Sequence, residues 1–496
     1  MTKPSLEEAR RFAAQGIYRV LPVSCELYAD RTTPLQVLRI LQAKSIHCFL
    51  LESVEDTKQW GRYTFLGFDP KLEITCTNGQ MRIRGKTQRS FHTDSPGAEL
   101  EKILAAHKSP RLPGMPPFTG GLVGYFSYDY IKYSEPRLRL DAEDQEHFND
   151  VDLMLFDKVI AFDNLRQKLI LTVNMPLTGD VQAAYAAAQA ALKALAELVR
   201  TGAPAPQNPG RLTSPVRHLF SKAQYCTMVE RAKQYIREGD IFQVVLSNRL
   251  EADFTGSLLD TYRVLRTLNP SPYMFFFCSD EMEIAGASPE TLVKLQDGVL
   301  HTFPLAGSRP RGQTPAQDEA LEAELLADPK ELSEHNMLVD LGRNDLGRIS
   351  KFGTVHVEKH LQVLRFSHIM HLGSTVAGAL REGCTAADVI ASVLPAGTLS
   401  GAPKFRACQI INELENNKRG IYGGAVGYLD FTGNLDTCIA IRFAFQKNGK
   451  VFVRSGAGIV ADSVPEREYQ ECIQKAKAVV TALEEAQGGI DSACTD

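Results

Sequence analysis

The chain has 496 residues, of which 44% are hydrophobic and 23% charged, and its net charge is −4. This composition is that of a globular protein with two or three domains, or one large composite domain. The slight negative charge gives no electrostatic basis for binding nucleic acid or an anionic membrane surface. No apolar run approaches the roughly 20 residues of a membrane span, and the polar start lacks a signal-peptide core. Scattered cysteines without a CxxC pair favour a reduced, cytoplasmic protein.

Three regions follow one another along the chain. Residues 18–176 contain short apolar runs separated by turn residues, which predicts a β-rich region with an antiparallel, sandwich-like sheet. Residues 177–220 combine an alanine-rich helix over 181–199 with a linker rich in proline and glycine over 201–215. Residues 221–486 mix helical and strand patterns without strict βαβ order, which indicates an α+β arrangement.

Local signals predict several elements of the third region. Ser221 is a favourable N-cap for a helix over 221–238, and a strand is predicted over 241–250. The runs 282–295 and 299–303 are typical of a hairpin that turns at Asp297-Gly298. No GxGxxG motif follows a strand and no GxxxxGK[ST] loop is present, so the sequence gives no support for nucleotide binding.

The first of two carboxylate-bearing helices is predicted from Asp328 onward. Asp328 can cap this helix, and Pro329 suits its first turn. Glu331 and Glu334 then lie on one face, because residues three apart are neighbours on a helix.

The second carboxylate-bearing helix is predicted to begin at Ser463, which would serve as its N-cap. Glu468, Glu471 and Lys475 share one face beside an apolar stripe that should pack on a core. Oxygen ligands from two helices suit a hard cation such as Mg²⁺. From the spacing alone, a solvated charged face with capping residues is the favoured explanation.

Glycine-rich stretches and one arginine stand out further along the chain. Residues 394–404 (LPAGTLSGAPK) predict a helix start with Ser400 as N-cap, a place that favours an anion. Residues 422–430 and 454–462 read as strands with internal glycines, which mark bulges or close backbone approaches. Arg442, within the β-like run IAIRFAF, needs an anionic partner from the protein or from a substrate.

Two histidines, His368 and His371, are three residues apart. No cysteine or third histidine lies at ligand spacing, so a zinc site is disfavoured. A hydrogen-bonded buried histidine or a catalytic acid or base is the better interpretation.

Taken together and in order, these stretches resemble the chorismate-utilising enzymes. The matching strings cover nearly all of the third region: GDIFQVVLSNR (239–249), ASPETLVKL (287–295), PLAGSRPRG (304–312), KELSEHNMLVDLGRNDLGRI (330–349), HIMHLGSTV (368–376), GTLSGAPKFRA (397–407), YGGAVGYLD (422–430), TCIAIR (437–442) and GAGIVADSVPEREYQE (456–471). The resemblance implies an α+β fold with two packed antiparallel β-sheets, a sandwich-like core and helices outside. Residues 221–486 would be its chorismate-binding catalytic region.

The resemblance also implies roles for individual residues. Glu334 and Glu471 would hold Mg²⁺, with Glu331 and Glu468 as nearby auxiliary carboxylates. The residues that would bind chorismate are Gly307, Thr398, Tyr422, Arg442, Gly456, Ala457, Gly458 and Lys475. Glu290 stands where the family places a general acid, and His371 matches a histidine tied to pyruvate elimination.

Two positions distinguish the branches of the family. Gln243 stands where isochorismate- and salicylate-forming members have a lysine that activates water. Ala306 stands where aminodeoxychorismate-forming members have a nucleophilic lysine, and alanine cannot form that bond. Gln243 therefore joins the catalytic residues as the group beside an ammonia nucleophile. Chorismate and ammonia would be converted to anthranilate and pyruvate.

A feedback site for tryptophan is implied for residues 18–176, which would meet one segment of the third region. LLES (50–53) and NPSPYMFF (269–276) resemble the two segments of that site. Its residues would be Glu52, Ser53, Pro272, Tyr273 and Met274. Strand packing between sheets is the alternative explanation for both segments.

No cysteine lies in a GxCxG-like nucleophile elbow, so ammonia from glutamine is expected from a separate glutamine amidotransferase subunit. Two alternatives stay open. One is the large subunit of an aminodeoxychorismate synthase, and the other is a non-catalytic, tryptophan-binding regulator on the same scaffold.

Overall fold

The computed structural model describes residues 2–53, 61–365 and 369–490. Within these residues the α-helices, in chain order, are α1 Leu6–Ala14, α2 Pro34–Gln42, α3 Pro96–Ala105, α4 Val181–Thr201, α5 Lys222–Arg237, α6 Leu259–Leu268, α7 Pro315–Ala327, α8 Pro329–Gly347, α9 Ala386–Val393, α10 Lys404–Glu415 and α11 Pro465–Glu485. Short 3₁₀ helices span Tyr128–Tyr133 and Gly397–Leu399. None of the helices in these ranges is both long and apolar enough to cross a membrane.

The strands of the same described ranges form two antiparallel sheets. In chain order they are β1 Val20–Tyr28, β2 Cys48–Glu52, β3 Tyr63–Phe68, β4 Leu72–Thr77, β5 Gln80–Arg84, β6 Gln88–His92, β7 Gly121–Phe126, β8 Val151–Phe156, β9 Lys158–Asp163, β10 Lys168–Pro176, β11 Arg211–Leu212, β12 Arg217–His218, β13 Gln243–Thr255, β14 Tyr273–Cys278, β15 Met282–Ser288, β16 Thr291–Gln296, β17 Val299–Thr302, β18 Leu305–Pro310, β19 His356–Arg365, β20 Ile369–Ala379, β21 Gly401–Ala402, β22 Ala425–Asp430, β23 Leu435–Ile439, β24 Phe443–Lys447 and β25 Lys450–Ile459.

Both sheets combine strands from the first and the third predicted regions. The first sheet runs β1-β10-β9-β3-β2-β14-β15-β24-β25-β13-β11, with β12 and β21 also paired to β13. The second runs β18-β20-β17-β16-β23-β22-β7-β8-β4-β5-β6, with β19 paired to β20. The regions meet side by side at the pairs β2–β14 and β7–β22. The division into a feedback region, a linker and a catalytic region stays a prediction about function.

The main core lies between the two sheets. Phe49, Phe275 and Phe443 of the first sheet face Leu122 and Val426 of the second, and all five are buried. Apolar side chains from two facing sheets form such a core in a sandwich.

A second core covers the outer face of the first sheet. Leu192 of α4, Leu265 of α6 and Val479 of α11 pack there with strand residues such as Leu50 and Phe276. The predicted α+β sandwich with helices outside is therefore confirmed, because helices bury the face that the second sheet leaves open.

Helix boundaries follow local capping chemistry in two places. Ser221 caps α5 in a capping box with Gln224. Asp328 caps α8 and accepts hydrogen bonds from the Lys330 and Glu331 amides. The alanine-rich helix is α4, and it continues two residues past the predicted end at 199.

Two predicted caps are wrong. Ser400 does not cap α10, because Gly401 and Ala402 pair with β13 and the helix begins only at Lys404. The Ser400 hydroxyl instead donates to the Ala396 carbonyl at 2.8 Å. Ser463 does not cap α11 either: Val464 takes that position, and Ser463 accepts the Val460 amide at 3.1 Å.

The predicted run 282–295 is two strands in different sheets. β15 belongs to the first sheet and β16 to the second, and Pro289 and Glu290 connect them. The turn at Asp297-Gly298 joins β16 to β17. The predicted hairpin is therefore confirmed for these two strands, and β15 is not part of it.

Candidate active site

The candidate site lies where the chain crosses twice between the sheets. Glu290 is on the connection from β15 to β16, and Arg442 is on the connection from β23 to β24. The two connections are hydrogen-bonded neighbours: the Ile439 amide donates to the Glu290 carbonyl at 2.9 Å, and the Ala287 amide donates to the Arg442 carbonyl at 3.0 Å. The fold thus brings together two segments about 150 residues apart, one carrying the acidic Glu290 and the other the cationic Arg442.

The Glu290 carboxyl group lies in a desolvated pocket. Residues of α8 and of the segment 393–398 line this pocket together with Glu290, among them Leu341, Gly342, Asp345 and Thr398. Burial raises the pKa of Glu290 to about 8, while a 3.4 Å hydrogen bond from the Thr398 hydroxyl and the charge of Lys475 act in the opposite direction. Glu290 is consequently protonated near neutral pH and can donate a proton.

Arg442 is not on a strand, contrary to the sequence-based expectation. It has a φ of 56° on the crossing segment, between the end of β23 at Ile439 and the start of β24 at Phe443. Its guanidinium donates to the Lys475 carbonyl in α11. Burial lowers the pKa of Arg442, and negative charge at Tyr422 or Glu471 would raise it. An anionic ligand would therefore stabilise this half-buried cation.

The glycines of β25 lie beneath side chains of the site. A Cβ atom on Gly456 would come within 2.6 Å of the Leu246 carbonyl and 3.0 Å of the Tyr422 hydroxyl. A Cβ atom on Gly458 would come within 2.7 Å of the Gln243 amide nitrogen. Gly456 requires glycine, because the Leu246 backbone already fills the space, whereas a side chain at position 458 would have to displace the end of the Gln243 side chain. Ala457, between them, is fully buried on the opposite face, in the core under α5 and α10.

Lys475 connects α11 to the same strand. Its ammonium donates to the Gly456 carbonyl at 3.2 Å and pairs with Glu471 at 2.6 Å. Tyr422 is buried beside them, and burial raises its pKa above the ordinary range. Tyr422 therefore stays a neutral hydroxyl that can donate a hydrogen bond.

His371 is held by a bulge at Gly307. Its Nδ1 lies 2.9 Å from the Gly307 carbonyl oxygen, which can only accept, so Nδ1 carries the proton. Burial lowers the pKa of His371, the hydrogen bond to Gly307 acts in the opposite direction, and the charge of Arg442 again lowers the pKa. Burial therefore favours the neutral imidazole, in which Nε2 carries no proton.

Gly307 has a φ of +68° at the irregularity between Ala306 and Ser308 in β18, a backbone conformation that favours glycine. A Cβ atom there would lie 3.0 Å from a Glu331 carboxylate oxygen. His368, the other predicted histidine, lies outside the described residues.

The proposed magnesium carboxylates come from α8 and α11. Burial raises the pKa of Glu334, and the negative charges of Glu331 and Glu471 raise it further. Burial likewise raises the pKa of Glu468. Since like charges converge in a half-buried place, a divalent cation between Glu334 and Glu471 would relieve their repulsion, and the residues fit that ion.

A different group of ligand-type residues lies at a sheet end. Across the described ranges, His47, Glu73 and Asp280 are the only His, Cys, Asp or Glu side chains that converge in a group of three. Arg84 already pairs with both carboxylates of this group, which makes it an ion-pair network. The two carboxylates from α8 and α11 would need water or a bound carboxylate to complete a magnesium shell.

The two segments of the predicted feedback site are adjacent strands. Glu52 in β2 stands opposite Met274 in β14. The buried Glu52 carboxylate accepts a hydrogen bond from Tyr262 at 2.6 Å and pairs with Arg266 at 2.7 Å. This arrangement leaves Glu52 engaged with the protein.

The remaining feedback residues lie around the same strand ends. Pro272 immediately precedes β14. The Tyr273 hydroxyl bonds to Asp436 at 2.8 Å, and it lies 3.0 Å from the Thr291 hydroxyl. The Ser53 hydroxyl is buried and has no hydrogen-bond partner among the described residues.

Sequence reasoning missed the buried ion pair between Glu415 and Arg419. Glu415 accepts from Arg419 and from the Ser247 amide at 2.7 Å. Arg419 also donates to the carbonyls of Leu399 at 2.6 Å and Val245 at 2.7 Å, and it lies near the Tyr422 ring. The pair thus supports both Tyr422 and the Thr398 segment. The i, i+4 spacing of opposite charges was the available signal.

Replacing Glu415 with glutamine should lower the free energy of unfolding by about 3–5 kcal/mol, because it leaves the buried Arg419 charge uncompensated. Urea denaturation followed by circular dichroism measures this. Glu7→Gln removes an exposed pair with Arg11 and should leave the midpoint unchanged. Equal midpoints for both variants would contradict the role given to the buried pair.

Comparisons with known proteins agree with this geometry. A sequence family described as chorismate binding enzyme matches residues 47–481. The chain is 45% identical to anthranilate synthase component 1 of Acetivibrio thermocellus over 98% of this chain and 99% of the relative. It is 44% identical to the protein of that name from Pseudomonas aeruginosa, with the same coverage of each chain. The chain therefore belongs to the family of chorismate binding enzymes.

Solved structures show the same fold. Anthranilate synthase component I from Streptococcus pneumoniae superposes with a TM-score of 0.75 at 38% identity, covering 86% of this chain and 93% of that one. The menaquinone-specific isochorismate synthase MenF from Escherichia coli has a TM-score of 0.69 at 22% identity, covering 96% and 98%. The second likeness concerns the fold alone.

Proposed function

We propose that the chain is the chorismate-converting component of an anthranilate synthase, which forms anthranilate from chorismate and ammonia in tryptophan biosynthesis. The curated relatives of that name match nearly the whole chain. The observation that carries the choice of nucleophile is Gln243, whose amide lies over Gly458 in the floor of the site. An amide cannot act as a base toward water, whereas ammonia is already a nucleophile.

In this proposal, different residues of the site bind the two carboxylates of chorismate. Arg442 and the Tyr422 hydroxyl hold the carboxylate of the enolpyruvyl arm. Lys475 and the Gly456–Gly458 backbone lie at the ring-carboxylate end. Mg²⁺ held by Glu334 and Glu471 would neutralise that carboxylate when bound.

The proton transfers follow from the protonation states. Ammonia attacks C2 of the ring while the C4 hydroxyl departs as water, and Glu290 donates the proton that the leaving oxygen needs. Loss of the C2 proton and of the side chain as pyruvate then gives the aromatic product. The neutral His371, with Nε2 unprotonated, is suited to accept a proton in this elimination.

The test of the proposal uses the purified chain with chorismate, Mg²⁺ and ammonium chloride. We expect the fluorescence of anthranilate to appear together with one equivalent of pyruvate. A non-aromatic amino product without pyruvate would instead identify an aminodeoxychorismate synthase. Absence of any chorismate turnover would favour a non-catalytic regulator.

Glutamine should not replace ammonium in the isolated chain. We expect glutamine-dependent anthranilate formation only after a glutamine amidotransferase subunit is added, because the chain shows no nucleophile elbow for a glutaminase. The measurement compares initial rates with glutamine and with ammonium, each with and without the partner. Glutamine-dependent turnover by the chain alone would contradict a separate source of ammonia.

Tryptophan is proposed as a feedback inhibitor that binds between β2 and β14. The support is the buried Ser53 hydroxyl beside this strand pair, which has no hydrogen-bond partner within residues 2–53, 61–365 and 369–490. Ser53→Ala should raise the tryptophan concentration needed for half-inhibition by about 10-fold or more, the typical effect of one hydrogen bond to a charged group. The uninhibited rate should not change. Thr33→Ala, at the cap of α2, is the matched hydroxyl deletion.

A further inference from the structure

A buried ion pair joins the segment that carries Thr398 to the helix that carries Glu334. The Lys404 ammonium, at the start of α10, lies 2.8 Å and 2.9 Å from the two Asp345 carboxylate oxygens and 3.0 Å from the Val393 carbonyl. Asp345 belongs to α8, and Val393 ends α9. The side chains of Asp345 and Lys404 are only 11% and 13% exposed.

The contacts of Lys404 account for all three of its N–H donors, so its position is fixed from three directions. Asp345 also lines the pocket that contains Glu290 and Thr398. One end of the pair is therefore at the wall of the candidate site, while the Lys404 charge is not free to bind a substrate carboxylate.

The segment and the helix are also in close contact at Gly397. A Cβ atom on Gly397 would lie 2.9 Å from the Leu341 side chain in α8. Packing of this kind sets how close the two elements can come, and the ion pair sets where along the helix the segment is held. Arg419 fixes the other side of the segment through the Leu399 carbonyl.

We propose that Asp345 and Lys404 are a positioning pair, which keeps Thr398 and Glu290 in register with the carboxylate-bearing face of α8. The pair touches no substrate and acts through the Thr398–Glu290 hydrogen bond. This role rests on the proposed function. In that function Glu290 and Thr398 lie where the C4 hydroxyl leaves, and the carboxylates of α8 lie where the ring carboxylate binds. Displacement by about 1 Å at a catalytic group is enough to cost on the order of 100-fold in rate.

Asp345→Asn tests the pair in the anthranilate assay with ammonium. We expect kcat to fall by about 10-fold or more, with a smaller change in the KM for chorismate. The loss of the Thr398 hydrogen bond should also move the alkaline limb of the kcat profile to higher pH. Lys475 on α11 is the charged group that faces Glu290 from the other side, and it is unchanged in this variant. Asp340→Asn, which breaks an exposed pair with Arg343 on the same helix, should match the wild type.

A second variant separates positioning from stability. Asp345→Asn combined with Lys404→Met removes both charges, so no buried charge is left unpaired and thermal stability should recover. If the pair positions the site, kcat stays low and the alkaline limb stays shifted in this double variant. Recovery of wild-type kcat together with stability would overturn the positioning role.

The wild-type reaction is measured in the same series. An inactive wild type would count against the proposed function itself. An active wild type with unaffected Asp345→Asn kinetics would count against the pair alone. In a Thr398→Val background, Asp345→Asn should produce no further shift of the limb, and an additional shift would contradict coupling through Thr398.

Discussion

Glu290→Gln should lower kcat for chorismate turnover by a factor of about 100 to 10,000, the range for loss of a general acid. The amide keeps the size of the side chain and removes its proton. Binding of chorismate should persist, because Arg442, Tyr422 and Lys475 are unchanged. Stopped-time assays of anthranilate with ammonium as the nitrogen source measure the effect. A variant that retains more than about a tenth of the wild-type kcat would exclude Glu290 as the acid.

The pH dependence of kcat tests whether Glu290 acts in its protonated form. Burial raises the pKa of Glu290 to about 8, so the proton-donating form predominates below that pH. We expect kcat in the wild type to decline as the pH rises through about 8. Thr398→Val removes a hydrogen bond that stabilises the carboxylate, and the pKa should therefore rise and the decline should move to higher pH. In Glu290→Gln the decline should be absent.

The second large effect on turnover is expected when either carboxylate proposed to bind magnesium is removed. Glu334→Gln and Glu471→Gln should each lower turnover at saturating Mg²⁺ by a factor on the order of 100 to 1,000, since a Lewis-acidic cation contributes several kcal/mol. The double variant should lose little more than either single one, because the two side chains serve one ion. Chelation by EDTA should reduce the wild type to a similar rate.

Calorimetric titration with MgCl₂ in the presence of chorismate provides a readout other than turnover. Both single variants should show weakened binding heat. Asp340→Asn on α8 and Glu485→Gln on α11 remove exposed carboxylates from the same helices and should bind Mg²⁺ like the wild type. Unchanged magnesium affinity in Glu334→Gln or Glu471→Gln would refute the assignment.

Local chemistry made part of the structure predictable. Asp328 and Ser221 cap helices as expected, because an N-cap depends on the few residues that follow it. Ser400 and Ser463 also precede a helix by only a few residues, but neither of them caps that helix. At Ser400, pairing of the next two residues with β13 prevents a helix from starting. At Ser463, Pro465 occupies the first helical position and shifts the cap to Val464.

The candidate site depends on contacts that no local pattern contains. Glu290 and Arg442 become neighbours only because two strand connections cross between the sheets side by side. Arg442 has a positive φ there, which an apolar β-like run does not predict. The strings that resemble the family identified these residues, while the reason for their proximity lies in the topology. The support from Glu415, Arg419, Asp345 and Lys404 is likewise a property of the packed chain.

The strand pairs β2–β14 and β7–β22, at which the first and third regions meet, determine how this polypeptide can be divided. A single cut within residues 201–215 would give two fragments, and each would hold only part of both sheets. Either fragment alone would expose long unpaired strand edges, the kind of surface that aggregates. The two fragments can pair through β2–β14 and β7–β22. Reconstitution should therefore require both fragments to be produced in the same cell. Shortening the chain to residues 221–486 is therefore not expected to give a folded protein, and point substitutions are the expected route to release from the proposed inhibition by tryptophan.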